Sequence, residues 1–148
     1  MKSKVFVVLS IIMTMIIWLN SLMPASVSSE QSGFIVGIIN SVFEWIGISI
    51  DQSLLSVIVR KLAHFLEFTV LGFLFFNVHF KVNNRKNMIF AISLGIVIAI
   101  IDECIQIFVD GRAFMITDIG IDSIGVIVGS FIGLLICIKY KRKNKYIA

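Results

Sequence analysis

Proline occurs once and cysteine twice in 148 residues, and only 15% of the residues are charged. One proline beside ten glycines excludes a collagen-like or low-complexity chain. No segment combines low hydrophobicity with high charge, as disorder requires. Ordinary soluble domains are about 45–50% apolar and about 25% charged. At 58% hydrophobic residues and a mean hydropathy of +1.01, the sequence is not that of a soluble globule. Its length suits one domain. What is abundant is long apolar runs, the mark of an integral membrane protein.

A spanning helix needs about 20 apolar residues, and four stretches qualify: 5–22, 57–78, 88–108 and 116–138. Around the first, Lys2, Lys4, the apolar run 5–18 and the small residues Ser26 and Ser28 also fit a cleaved signal peptide. Against cleavage, the run is long for a signal core and the site lacks alanine at both key positions. Whether this span is retained stays open; Pro24 closes it either way. Ten of the thirteen basic residues fall on one side of a four-span topology: Lys2 and Lys4; Lys81, Arg85 and Lys86; Lys139, Lys141, Arg142, Lys143 and Lys145. Arg60, Lys61 and Arg112 lie on the other side with all nine acidic residues. By the positive-inside rule the basic side is cytoplasmic and both termini are inside. The pI of 9.3 thus reports orientation, and no nucleic-acid partner is indicated. The expected fold is all-α: one domain over 1–148, a four-helix membrane bundle with a basic cytoplasmic tail over 139–148.

Between the first two spans, residues 34–50 place Gly37, Asn40, Ser41 and Glu44 at helical spacing, with Phe34, Ile38, Ile39, Val42, Phe43 and Ile46 on the other side. This predicts an amphipathic helix. It either lies in the outer interface, anchored by Trp45, or packs over the bundle mouth as a lid. Cys104 and Cys137 fall near opposite ends of their spans, too far apart for a disulfide, and read as packing residues.

The informative residues are ionisable groups within the spans. A charge at the bilayer centre costs ~2.5–3.5 kcal/mol on insertion scales, so a cluster of them demands partners or a wet cavity. Lys61, His64 and Glu67 are spaced three apart and share a face of about 120° on the second span, with Arg60 beside them. With entry near Val57, Glu67 falls roughly 15 Å deep in a core of about 30 Å, the deepest charge, to be kept neutral or paired with Lys61 or His64. The third span ends in Asp102, Glu103 and Gln106; the fourth begins with Asp118 and Asp122, stacked four apart. Arg112 lies in the connection between them, where its planar fork can grip a carboxylate or a phosphate at two points. These carboxylates cannot all ionise at close quarters. Neutralisation by Arg60, Lys61 and Arg112, by shared protons, or by a bound cation all stay open. No cofactor is required by the sequence. Gly125, Gly129 and Gly133 form a doubled G-x-x-x-G on the fourth span, for close packing within the chain or for oligomerisation.

Arg60-Lys61-Leu62-Ala63-His64-Phe65-Leu66-Glu67-Phe68, Leu71-Gly72, Asp102-Glu103-Cys104-Ile105-Gln106, Gly111-Arg112, and Asp118 and Asp122 followed by Gly125 and Gly129 occur in this order over nearly the whole chain. In combination they resemble the VanZ-like family, small bacterial membrane proteins named for a teicoplanin resistance factor. The family pattern carries over to Lys61, His64, Glu67, Asp102, Glu103, Gln106, Arg112 and Asp118. Phe68 stands where the family usually has tyrosine, Asp110 where proline is common, and Asp122 where asparagine is usual. The resemblance implies a multi-pass protein of the bacterial cell membrane, association with the cell envelope and, for some members, lowered susceptibility to lipoglycopeptides such as teicoplanin.

Three functions fit the residues. The first is binding or handling of an envelope molecule, such as an anionic lipid-linked intermediate, with Arg60, Lys61 and Arg112 on its phosphate and His64, Glu67, Asp102, Glu103, Gln106, Asp118 and Asp122 completing the site. The second is an intramembrane hydrolase or transferase with His64, Glu67, Asp102 and Glu103 as candidate catalytic or metal-holding residues. It must manage with one histidine, since His79 falls at the cytoplasmic end, and without a serine, cysteine or threonine at nucleophile spacing. The third is a polar latch with no ligand. Residue chemistry favours binding over catalysis, and functional use over a latch, because interhelical hydrogen bonds in membranes average only ~0.6 kcal/mol.

Overall fold

The computed structural model describes residues 2–78 and 84–145, with side chains over 4–78 and 84–142. His79, Lys81 and the side chains of Lys2, Lys143 and Lys145 lie outside the described residues. Among these residues there are five helices and no strand: α1 (Lys2–Ser21), α2 (Ala25–Trp45), α3 (Gln52–Val78), α4 (Asn84–Gln106) and α5 (Ile116–Lys145). A helix satisfies its own backbone hydrogen bonds, which is what a chain in hydrocarbon must do. Three helices are long and apolar enough to cross a membrane, over Lys4–Ser21, Asn84–Gln106 and Ile116–Arg142.

Several boundaries differ from the sequence expectation. α3 begins at Gln52, five residues before Val57, because Asp51 caps it: its carboxylate accepts the Ser53 N–H at 2.9 Å and the Ser53 hydroxyl at 2.8 Å. These hydrogen bonds favour the ionised form and hold the Asp51 carboxyl below its ordinary pKa. α4 runs from Asn84 to Gln106 in place of 88–108. α5 continues through Lys145, so the basic residues from Lys139 onward extend a helix in place of forming a separate tail. The largest correction concerns the segment expected at 34–50. α2 starts nine residues earlier, at Ala25, and stops at Trp45. Pro24 ends α1 and, with φ −53° and ψ 151°, sets the extended residue from which α2 departs. Gly47, at φ +79°, reverses the chain toward α3.

α3 packs against each of the other four helices, most extensively against α5. The core takes Ile17 from α1, Phe68, Leu71, Phe75 and Phe76 from α3, Ala91, Ile98 and Ala99 from α4, and Val126 and Cys137 from α5. Glycine permits this closeness. A Cβ at Gly125 would lie 2.6 Å from the Phe65 carbonyl oxygen, one at Gly133 2.7 Å from the Phe76 ring, and one at Gly129 would overlap the Thr69 carbonyl. The G-x-x-x-G face is therefore filled by α3 of the same chain, and none of it is left for a second copy. Both cysteines are free, Cys137 buried and Cys104 exposed, so only the former packs in the interior.

The distribution of polarity is inverted relative to a soluble protein. Val5, Ile12, Leu19, Ile89, Val97, Ile124, Phe131 and Leu135 are exposed, while Asp102, Glu103 and Asp122 are buried. An apolar surface of this extent fits a lipid bilayer.

α2 folds back along the first turns of α3. The Ser32 and Ser56 hydroxyls are 3.2 Å apart, and only Val36 of α2 is buried. Ser28, Gln31 and Ser32 wall a cavity above α3, whereas Phe34, Ile38, Val42 and Trp45 leave their apolar surface uncovered.

Candidate functional site

The polar residues of three helices converge at one end of the structure, where α1 and α4 finish and α5 starts. Lys61 of α3 forms an ion pair with Asp118 in the first turn of α5. Glu103 of α4 accepts hydrogen bonds from the Gln106 amide at 3.0 Å and from the Met115 backbone N–H at 2.8 Å. Met115 immediately precedes α5, so Glu103 satisfies one of the N–H groups that a helix start leaves without an intrahelical partner. Asp102 accepts from Ser21 at 2.8 Å and from Gln106 at 3.1 Å, both on Oδ2. His64 Nδ1 lies 3.9 Å from that same oxygen, too far for a hydrogen bond.

Two expectations need correction. Glu67 pairs with neither Lys61 nor His64: it accepts a 2.6 Å hydrogen bond from the Asn20 side chain, in the last turn of α1. That places it level with the last turn of α1. Arg112 grips neither a carboxylate nor an open anion site with both arms of its fork. Its Nε donates to the Met23 carbonyl at 2.9 Å and its Nη2 to the Asn20 carbonyl at 3.1 Å. Asn20 lies in the last turn of α1 and Met23 two residues beyond its end, where the negative end of the helix dipole favours a cation. Among the described residues no carboxylate lies within ion-pair distance of Arg112.

Asn20 and Ser21 were not singled out in the sequence, yet they orient Glu67 and Asp102. The available signal was an adjacent polar pair closing an otherwise apolar run, just before Pro24. Gln31 and Ser32 carry no such signal, and Ser28 reads only as a small residue near a cleavage site. Together with Asn20, Arg60, His64, Glu67 and Arg112 they line a cavity of ≈180 Å³ between α1, α2 and α3. An adjoining pocket of ≈10 Å³, bordered by Lys61, His64, Glu103 and Asp122, has room for about one water. Arg60 borders both, and also a wider groove of ≈470 Å³ between α2 and the start of α3. Arg60 makes no hydrogen bond or ion pair among the described residues, which leaves its guanidinium available to a ligand.

His64, Asp102 and Asp122, one from each of α3, α4 and α5, bring one donor atom apiece to within 4.8 Å of one another. The carboxylate acceptors, the cation of Arg60, unpaired among the described residues, and the carbonyl-bound cation of Arg112 thus border adjoining, partly open pockets. These could accept an anionic group at the arginines, a cation at the carboxylates, or both.

These features define a helical membrane protein with a polar cluster between its helices. The chain belongs to the VanZ/LLP1 family, whose model matches residues 6–137, a range that contains every residue of the cluster. No curated protein and no solved structure matches the chain.

Proposed function

We propose that this single-domain protein of the bacterial cell membrane binds an anionic, phosphate-bearing envelope lipid or lipid-linked intermediate at the polar cluster. In this arrangement α1, α3, α4 and α5 span the bilayer, α2 rests at the outer interface, and both termini are cytoplasmic. The observation that carries the proposal is the pair of arginines, Arg60 and Arg112, that line the ≈180 Å³ cavity and have no carboxylate partner among the described residues. A guanidinium makes strong two-point hydrogen bonds to phosphate. Lys61, His64, Glu67, Asp102, Glu103, Gln106, Asp118 and Asp122 complete the site, the acidic members meeting hydroxyls or fixing the cations. Lowered lipoglycopeptide susceptibility is the cellular effect that such binding would have.

Arg60→Gln tests the site. Because Arg60 holds no other side chain, the variant should melt like wild type in detergent. Its affinity for phosphatidylglycerol in nanodiscs should fall about tenfold, the equivalent of one charge-assisted contact of about 1.4 kcal/mol. Equal affinity in the two proteins, or no preference of the wild type for phosphatidylglycerol over phosphatidylcholine, would remove the proposal. Orientation is tested separately, in a chain with Cys104 and Cys137 replaced by alanine. A membrane-impermeant maleimide should label Asp110→Cys in intact cells and Lys141→Cys only after permeabilisation; the reverse pattern would invert the topology.

A further inference from the structure

The hydrogen bonds of the cluster are unevenly distributed. Glu67 receives one from Asn20, Glu103 receives two, and Asp118 has Lys61. Asp122, by contrast, is 2% exposed and has no hydrogen bond or ion pair among the described residues. Asp102 is fully buried, and its Oδ1 has no hydrogen-bond partner among the described residues. Burying an acceptor without a donor costs free energy comparable to a lost hydrogen bond or more. Among the described residues Asp102 Oδ1 is the carboxylate oxygen sealed from water without a hydrogen bond, and Asp102 and Asp122 both lie beside His64 in the group whose donor atoms fall within 4.8 Å of each other.

We infer that His64, Asp102 and Asp122 bind one divalent first-row transition-metal cation, with zinc as the natural probe. A neutral imidazole and two carboxylates supply a charge of −2, matching such an ion. The imidazole nitrogen selects transition metals over magnesium and calcium, which prefer all-oxygen shells. Zinc ligands sit about 2.1 Å from the metal, so two of them at a tetrahedral angle are about 3.4 Å apart. The donor atoms of the three residues lie within 4.8 Å of one another and need to close by at most about 1.4 Å to reach that spacing, with Asp102 ligating through Oδ1, the oxygen that has no hydrogen bond among the described residues. Outer support is in place, since Ser21 and Gln106 both donate to Asp102 and so fix the orientation of a ligand. Three protein ligands leave a coordination position open. Arg60 and Lys61 border the small pocket at His64 and Asp122, so an anionic group held there could complete the shell.

The metal alone is the probe, which separates this inference from the proposed lipid binding: either can fail without the other. Protein stripped with EDTA and equilibrated with zinc should retain close to one equivalent by elemental analysis, and its melting temperature should rise. Cobalt in its place should give visible ligand-field bands. Asp122→Asn and His64→Gln should each weaken binding at least tenfold, whereas Glu44→Gln, exposed on α2 outside the site, should bind like wild type. If either ligand variant fails to fold, the cobalt spectrum of the wild-type protein decides alone, because nitrogen and oxygen ligation of a low-symmetry site is read directly from it. No retention by wild type, or equal retention by Asp122→Asn, would overturn the inference in favour of a carboxyl group kept neutral by a proton.

Discussion

Gly129→Ala should destabilise the protein by about 3 kcal/mol, the upper end of the usual cost of overpacking. The added methyl would overlap the Thr69 carbonyl oxygen, with the Phe73 backbone nitrogen close behind. Neither obstacle is the tip of a flexible side chain that could swing aside. α3 and α5 must separate along their most extensive contact, and the Lys61–Asp118 pair, formed between the same two helices, separates with them. Gly120→Ala is the matched control on α5. Nothing lies within 4 Å of a Cβ there, so alanine should be neutral or stabilise by up to about 1 kcal/mol through helix propensity. Thermal melting in detergent and resistance to limited proteolysis distinguish the two. A Gly129→Ala protein as stable as Gly120→Ala would mean that α3 and α5 do not meet through this face.

The contrast between those glycines shows what a single sequence can reveal. The spacing of Gly125, Gly129 and Gly133 announced a close helix contact, because three small residues four apart must share one face. It did not name the partner, for nothing local to α5 distinguishes α3 from another copy of the chain. The ionisable residues behave in the same way. Their presence in apolar runs marked Lys61, His64, Glu67, Asp102, Glu103, Asp118 and Asp122 as a group that must meet, and they do meet. The pairing within the group was not legible. Glu67 is satisfied by Asn20, 47 residues away in sequence, a choice set by how far α1 extends alongside α3. α2 was half hidden for a different reason. Ser26 and Ser28 fit a cleavage site and residues 25–33 lack apolar periodicity, yet the segment forms the first turns of a helix whose polar side walls a cavity. Hydrophobic periodicity detects burial against an apolar core, and a helix facing a polar site lacks that signal there.

The end of α1 is where these unannounced contacts concentrate, and Arg112 tests it. Arg112→Ala removes two charge-assisted hydrogen bonds, to the carbonyls of Asn20 and Met23, and should cost about 2–4 kcal/mol. Arg112→Lys should recover only part of this, because a single ammonium cannot reproduce a fork whose Nε and Nη2 serve two separate carbonyls. Arginine is therefore required here for the fold, and a function lost in Arg112→Lys must be measured against stability before it is assigned to a ligand. The effect should also travel. The turn that Arg112 holds carries Asn20 and Ser21, whose side chains donate to Glu67 and Asp102, while the Ala25 N–H bonds the Asp110 carbonyl and ties the same loop to the start of α2. Asn20→Ala removes the donor to Glu67 but leaves the backbone carbonyl that Arg112 uses. If Arg112 positions the end of α1 for the cluster, the double variant Arg112→Ala/Asn20→Ala should lose less than the sum of the single losses, because Asn20 is already displaced once Arg112 is gone. A non-additivity of about 1 kcal/mol is expected from coupling through one turn. Losses that add to within about 0.3 kcal/mol would show two independent sites, with Arg112 acting on the loop alone.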